Sequence, residues 1–85
     1  MSDRAQKLRE RLEQQFHPLV LAVEDEGHLH IGHANEGRGH FRVQIVAEAF
    51  RGLTPVARHR LVYAALEDLM KSEVHAIAIE AKAPA

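Results

Sequence analysis

Histidine is the residue type in this chain whose number and spacing point to chemistry. Seven histidines occur in 85 residues, and the chain contains no cysteine. Four of them lie close together, namely His28, His30, His33 and His40, and a fifth, His75, lies in an apolar run near the end. Neutral imidazole is a common protein ligand for zinc, copper and iron. A metal site in this chain would therefore be built from imidazole, with any thiolate supplied by a partner.

The residues alone leave two interpretations open for each group of histidines. The short spacings between His28 and His33 let a flexible loop present more than one nitrogen to one ion, but a solvated loop without a ligand explains them equally well. His75 shares its parity with Ile77 and Ile79, which predicts the core face of a strand. Parity by itself favours a half-buried histidine bonded to a carbonyl over a metal ligand.

Basic residues form the other candidate site. Arg58 and Arg60 flank a histidine in a predicted helix, and Lys71 follows further along it. These side chains could contact phosphates. A solvated helix face is favoured, because the formal net charge of −1 gives no general nucleic-acid footprint. The sequence offers no Ser/His/Asp order and no phosphate-binding glycine loop, so nothing in it indicates an enzyme.

Size and composition predict one small domain. The chain is 46% hydrophobic and 27% charged, which is typical of a globular protein. A domain of this length buries only about 60% of its unfolded surface, and without cysteine no disulfide can reinforce it. No run approaches the roughly 20 apolar residues of a membrane span, and the first residues lack the apolar stretch of a signal peptide. We expect a cytoplasmic protein that does not associate with membranes.

Periodicity predicts the elements that position the histidines. Apolar residues at helical spacing predict a first helix that ends at Pro18, and alternation predicts strands at 19–24 and 40–45 around a long loop. A second helix begins with Thr54 as N-cap and Pro55 as its first residue and runs to about Glu73, with a break allowed near its start. Its predicted buried residues are Val56, Leu61, Ala65, Leu66 and Leu69.

A third strand is predicted at 74–79. The predicted fold is therefore α+β, in the order α-β-β-α-β, with a three-stranded mixed sheet and helices packed on one face. It forms one domain over residues 1–81, followed by a flexible tail at 82–85.

Four segments together resemble the BolA family. They are His40–Val43, Phe50–Leu53, Arg58–Tyr63 and Val74–Ile79, and the match covers nearly the whole chain. The Arg-His-Arg helix start followed by Val-His-Ala at this separation is the most specific part. The resemblance implies a fold similar to a class II KH domain, although the KH loop with two glycines separated by two residues is missing, as is usual for BolA proteins.

The resemblance also implies a function. BolA proteins associate with monothiol glutaredoxins that carry a Cys-Gly-Phe-Ser motif, and the heterodimer holds a 2Fe-2S cluster for iron–sulfur trafficking or iron regulation. The glutaredoxin brings one cysteine and a bound glutathione brings a second thiolate. The family histidine is matched by His75, and the loop ligand is matched by His30, with His33 and His28 as alternatives. His40 is expected as an accessory ligand or as a hydrogen-bond partner of one, and Gly39 stands where relatives often have a hydroxyl residue.

These expectations have physical consequences and one rival. Imidazoles in place of two thiolates raise a cluster's reduction potential, as in Rieske centres. Because imidazole must be unprotonated to ligate, cluster binding should weaken as the pH falls toward about 6.5. Alone, the protein is expected to be a monomer or a weak homodimer. Some BolA proteins are DNA-binding regulators, so the rival expectation is a transcription regulator that contacts phosphates through Arg58, Arg60 and Lys71.

Overall fold

The first helix packs one apolar face against the sheet and ends where the sequence predicts. The computed structural model describes residues 3–26, 39–72 and 74–85, with the side chain of His75 excepted. Helix α1, Asp3–Phe16, repeats apolar residues at i, i+3 and i+7, and these are its buried residues Ala5, Leu8 and Leu12. His17 then adopts a left-handed backbone with φ of 46°. The helix stops here because Pro18 disfavours the helical conformation of the residue before it.

Three strands form one mixed sheet, which confirms the predicted α+β class. Strand β1 (Val20–Asp25) pairs antiparallel with β2 (Gly39–Val46), and β2 pairs parallel with β3 (Val74–Lys82). The order across the sheet is β1-β2-β3. Along β2, buried residues alternate with more exposed ones, as expected for a strand with one covered face. The buried set, Phe41, Val43 and Ile45, belongs to the same core as the apolar residues of the helices.

The second helix starts as predicted. A 3₁₀ turn, Glu48–Phe50, is followed by Gly52, whose φ of 78° is the left-handed value that glycine adopts without strain. Thr54 then caps the helix, because its Oγ1 accepts a hydrogen bond from the Ala57 N–H at 3.1 Å. Helix α2 spans Pro55–Ala65.

The helical segment ends at Ser72, close to the predicted end at about Glu73, but it is divided into two helices. The helix is interrupted at Leu66, which has φ of −104° and ψ of 8°, and a short helix α3, Glu67–Ser72, follows. The break therefore lies near the end of the helical segment and not near its start. Val56 and Leu61, predicted to be buried, are 59% and 39% exposed. Leu66 and Leu69, which were also predicted to be buried, do face the core, and Val62, which was not predicted, precedes them at the spacing i, i+4 and i+7.

Strand β3 is longer than predicted. It continues past Ile79 through Lys82, whose carbonyl accepts the Ala47 N–H at 3.0 Å. Lys82, which the prediction placed in the tail, therefore belongs to the sheet. Within the described residues no helix is long and apolar enough to cross a membrane.

Candidate metal centre at one end of the sheet

One end of the sheet collects the segments that carry the predicted ligands. Strand β1 ends there, with Asp25 opposite Phe41, while β2 and β3 both begin there, with Gly39 paired to Val74. The Glu26 N–H donates to the His40 carbonyl at 2.7 Å, so the ladder continues one residue beyond β1. The chain therefore leaves the described residues at Glu26 and returns at Gly39 at the same end of the sheet. Ligands from different segments can bind one metal centre only if those segments come together in this way.

His40 stands at this end on the face of the sheet opposite the helices. It is half-buried and shares the more exposed face of β2 with Arg42 and Gln44. Its backbone pairs with Ala76, the residue that follows His75. Neighbouring strands lie about 4.8 Å apart. The imidazole of His40 is therefore attached one strand spacing from the start of β3.

His75 occupies a bulge in the parallel pairing of β2 and β3. Gly39 pairs with Val74 and the next residue of β2, His40, pairs with Ala76, which leaves His75 as the extra residue on β3. Bulges of this kind interrupt the alternation of a strand and re-aim a side chain. The parity argument fails here, because Val74 is buried although its parity is opposite to that of Ile77. The side chain of His75 lies outside the described residues.

Gly39 is required by close packing at the start of β2. A Cβ atom at this position would lie 2.7 Å from Cε2 and 2.9 Å from Cζ of Phe41. Phe41 is only 2% exposed, so its ring has little room to move. A serine or threonine side chain here would collide with that ring. The need for glycine could not be predicted from the sequence, because it depends on a contact between a side chain and the backbone two residues away.

An ion pair ties the end of β1 to β2 beside this site. The Nε of Arg42 donates to Oε2 of Glu26 at 3.1 Å, with the carboxylate side chain 27% exposed and the arginine 52% exposed. Glu26 is the last of three consecutive acidic residues, Glu24–Glu26. Since this carboxylate bonds Arg42 on the face that also carries His40, it helps to hold the end of β1 beside the start of β2.

The remaining predicted loop ligands, His28, His30 and His33, lie outside the described residues. Within the part of the chain that is described, no three His, Asp or Glu side chains converge on a common point. The donors at this end of the sheet that suit a 2Fe-2S cluster form an incomplete set of imidazoles, with His40 beside the bulge that carries His75, because the Glu26 carboxylate is already paired with Arg42. A 2Fe-2S cluster held here would need thiolates from elsewhere, because the chain has no cysteine.

The predicted phosphate contacts do not form one patch. Arg58 is half-buried and lines a groove beside β3, with Nη1 donating to the Ala81 carbonyl at 3.4 Å. Arg60 is exposed and lines another groove with Leu53 and Leu61. Lys71 is exposed on α3 and lines a third groove. The structure thus separates these three cations instead of concentrating them on one surface.

Comparisons with known proteins agree with this architecture. The family model described as BolA-like protein matches residues 12–85. The chain is 42% identical over 92 residues to SufE-like protein 1, chloroplastic/mitochondrial, of Arabidopsis thaliana, which covers all of this chain and 25% of that relative. It is 43% identical over 75 residues to the DNA-binding transcriptional regulator BolA of Vibrio cholerae, covering 85% of this chain and 67% of the relative.

A solved structure shares the whole fold. The BolA domain of SufE1 from Arabidopsis thaliana superposes with a TM-score of 0.87 at 44% identity, covering 99% of this chain and 95% of that one. The chain spans only a quarter of the full-length plant relative. The family model, the sequence identity and the superposition all cover most of the chain, and it therefore belongs to the BolA-like family.

Proposed function

We propose that this protein acts as the binding partner of a monothiol glutaredoxin and co-ligates a bridging 2Fe-2S cluster with it. The observation that carries the proposal is the convergence at one end of the sheet. His40, the bulge at His75 and the residues Glu26 and Gly39 meet there in a chain without cysteine. An imidazole-only half-site of this kind is completed by thiolates from a second protein and its glutathione.

The proposal assigns a role to each histidine of this end. His75 is the principal ligand, and His30 is the loop ligand, with His33 and His28 as the alternatives. His40 lies beside the bulge and acts as an accessory ligand or by orienting a ligating imidazole, a support that commonly tunes metal affinity. Two neutral imidazoles on one iron give the cluster a higher reduction potential than four thiolates would. The protein binds and positions the cluster, which is its cargo.

Visible circular dichroism tests this directly. A glutaredoxin loaded with a 2Fe-2S cluster and glutathione is titrated with the apo protein under anaerobic conditions, and a new spectrum that saturates at one chain per glutaredoxin is expected. The His75→Ala variant should leave the glutaredoxin spectrum unchanged. His59→Ala is the matched control, because His59 lies exposed on α2 with its ring 4.7 Å from that of Tyr63. An unchanged spectrum with the unmodified protein, or equal spectra for it and His75→Ala, would disprove the assignment.

The same titration separates the loop histidines. Single changes to alanine at His28, His30 and His33 are compared at matched concentrations. We expect His30→Ala to reproduce the loss seen for His75→Ala, and the other two to keep the spectrum. His40→Ala is expected to weaken cluster retention by about 10–100-fold, the usual cost of losing a residue that supports a ligand. If His33→Ala or His28→Ala abolishes the spectrum instead, that residue is the loop ligand.

A DNA-binding function is the second candidate, favoured by the name of the Vibrio cholerae relative. Arg60 and Lys71 are the exposed cations available for phosphate contacts, whereas Arg58 bonds the Ala81 carbonyl. A gel shift that weakens with salt and is lost in the double variant Arg60→Gln and Lys71→Gln would support this function. Cluster transfer that survives in the same double variant would show that the two functions use different surfaces.

A further inference from the structure

Strand β3 is an edge strand, and the direction of its free backbone groups can be read from one hydrogen bond. The Ala47 N–H donates to the Lys82 carbonyl, so the backbone groups of Lys82 point toward β2. Successive residues of a strand direct their N–H and C=O groups to opposite sides. The groups of Ala78 and Glu80 therefore also point toward β2. Those of Ile77 and Ile79 point away from it, to the open edge of the sheet.

Two arginines donate hydrogen bonds to outward-facing carbonyls, one on each edge strand of the sheet. Arg58 donates to the Ala81 carbonyl at 3.4 Å on the outer side of β3, and Arg9 donates to the Leu21 carbonyl at 3.4 Å on β1. Uncovered edges invite pairing with another chain, and natural proteins commonly cover or charge them. Among the described residues, nothing hydrogen-bonds the outward groups of Ile77 and Ile79. These two residues form the uncovered part of the β3 edge.

A groove of about 390 Å³ runs beside this edge. Its walls come from the first turn of α2 and from the second half of β3, and its lining residues are Pro55, Val56, Arg58, His59, Ile79, Glu80 and Ala81. Ile79 and Ala81 face the helices while Glu80 faces the other side of the sheet, so the groove lies along the strand's edge. Val56, which the core leaves 59% exposed, is part of its apolar wall.

The charge beside the groove is positive. Helix α2 contains Arg58, His59 and Arg60 and no acidic residue. The guanidinium of Arg58 offers five N–H donors, yet it makes one long hydrogen bond, and its buried Nε has no partner among the described residues. Glu80, the acid that lines the groove, lies 3.5 Å from Lys82 in an ion pair. A carboxylate from outside would accept hydrogen bonds from the Nη groups of Arg58, whereas the buried Nε stays out of its reach.

We propose that the edge of β3 and this groove bind an extended segment of a partner protein that carries an acidic side chain. The segment adds a strand to the sheet through the outward groups of Ile77 and Ile79, as in known strand-addition complexes. One apolar side chain enters the groove against Val56 and Ile79, and the Asp or Glu carboxylate accepts hydrogen bonds from Arg58. The site runs along the outer edge of β3 from Ile77 to Ala81 and begins two residues after His75. Its binding does not depend on the proposed cluster function.

The first measurement tests the edge in the free protein. Amide hydrogen exchange followed by NMR should show fast exchange at Ile77 and Ile79 and slow exchange at Ala78 and Glu80. Slow exchange at all four residues would mean that the edge is already covered, which overturns the proposal.

The second measurement identifies the occupant. A display library of random dodecapeptides is panned on the full chain near physiological salt, and enriched peptides are synthesised with each Asp or Glu kept or replaced by its amide. We expect alternating apolar residues with at least one acid, and a loss of at least about tenfold in affinity when that acid is replaced. In NMR titrations, the peptides should shift the amides of Val56, Ile77 and Ile79.

Two variants of the protein make the test specific. Arg58→Gln should weaken binding of the acidic peptides about tenfold and leave their amide versions unaffected, whereas Arg60→Gln on the same helix is the matched control and should change neither. Chemical synthesis of the chain with an N-methyl group on Ile79 replaces an outward N–H by a methyl group that blocks strand pairing at this edge, and it should abolish binding. This second variant keeps Arg58, so it decides the matter even if Arg58→Gln fails to fold.

Several outcomes would overturn the proposal. They are the absence of enrichment over the bare matrix, enrichment of peptides without acids, and amide shifts at Leu53 and Leu61 instead of β3. Self-association of the chain through β3 would show that a second copy is the occupant. Displacement of the peptide by duplex DNA would show that the groove is a phosphate site.

Discussion

At the scale of single residues, Gly39 is the position whose structural role is most sharply defined. Its missing side chain makes room for the ring of Phe41, which would lie 2.7 Å from a Cβ atom. Gly39→Ser should therefore lower the free energy of unfolding by about 1–3 kcal/mol through overpacking. Urea denaturation measures the loss. In a double-mutant cycle with Phe41→Leu, the two changes should be less than additive by at least about 0.5 kcal/mol, because the smaller side chain makes room for the serine.

A second glycine gives the control for this prediction. A Cβ atom at Gly52 would meet nothing within 4 Å, but its φ of 78° is unfavourable for other residues. Gly52→Ala should cost about 1–2 kcal/mol through backbone strain and should be additive with Phe41→Leu. Additive behaviour of Gly39→Ser as well would contradict the steric explanation.

The histidines show what could and could not be predicted for single residues. Residue type and the missing cysteine indicated imidazole ligands, and the backbone of His40 lies at the expected end of the sheet. The bulge at His75 could not be predicted, because the run Val74–Ile79 carries no glycine or other bulge signal. A bulge depends on how β3 meets Gly39 on another strand, which is a non-local property. The assignments of His75 and His30 as ligands stay predictions until the circular dichroism titration is made.

At the scale of elements, the N-cap of α2 is a local feature, and the loss of stability on removing it can be predicted. The Oγ1 of Thr54 accepts the Ala57 N–H, one of the donors that a helix start leaves unpaired. Thr54→Ala should lower the free energy of unfolding by about 1 kcal/mol, while Thr54→Ser, which keeps the hydroxyl, should stay close to the original protein. Thermal and urea unfolding of both variants provide the measurement. Equal stability of the serine and alanine variants would show that the cap contributes nothing.

Helix starts were predictable because their signals are local, whereas the break at Leu66 was not. The sequence from Pro55 to Ser72 contains no glycine or internal proline that would indicate an interruption. The contact that accompanies the break comes from α1, where Arg11 Nη1 donates to the Ala65 carbonyl at 2.9 Å. The same guanidinium binds Asp68 on α3 through two further hydrogen bonds. A residue 54 positions earlier in the chain therefore satisfies the carbonyl at the end of α2.

The contacts of Arg11 with Ala65 and Asp68 predict unequal losses of stability when Arg11 or Asp68 is replaced. Arg11→Met removes the ion pair and also leaves the Ala65 carbonyl without its donor, whereas Asp68→Asn keeps that donor. The melting temperature should therefore fall further for Arg11→Met than for Asp68→Asn. Arg60→Met is a control for the loss of a positive charge from an exposed helix position. A fall for Arg11→Met no larger than that for Arg60→Met would contradict the proposed role of the carbonyl contact.

At the scale of the whole molecule, the order and directions of the strands bring the parts of the candidate metal site together. Because β1 is antiparallel to β2 and β3 is parallel to it, the end of β1 and the starts of β2 and β3 meet at one end. That arrangement was predictable from the alternation of elements together with the BolA resemblance. It leaves the outer edge of β3 from Ile77 onward for a different role, so the two proposed surfaces adjoin on one strand, two residues apart.

The pairing of Arg11 with Asp68 also makes the free energy of unfolding depend on pH in the acidic range. The hydrogen bond from Arg11 lowers the pKa of Asp68 to about 2, from an ordinary value of 3.8. A carboxyl whose pKa is lower in the folded than in the unfolded state stabilises the fold above pH 3.8. That contribution is lost as the pH falls from 3.8 to about 2. Asp68→Asn should therefore flatten the dependence of unfolding free energy on pH within this window.

Part of the acid dependence should remain in that variant. Glu48, whose pKa is lowered by its hydrogen bond to Arg51, titrates independently of Asp68 and keeps its own contribution. Urea unfolding of the original chain, Asp68→Asn and Glu48→Gln at a series of acidic pH values separates the two, and the double variant should show the flattest profile. If Asp68→Asn instead lowered stability equally at every pH, the carboxylate would act through packing rather than through its charge.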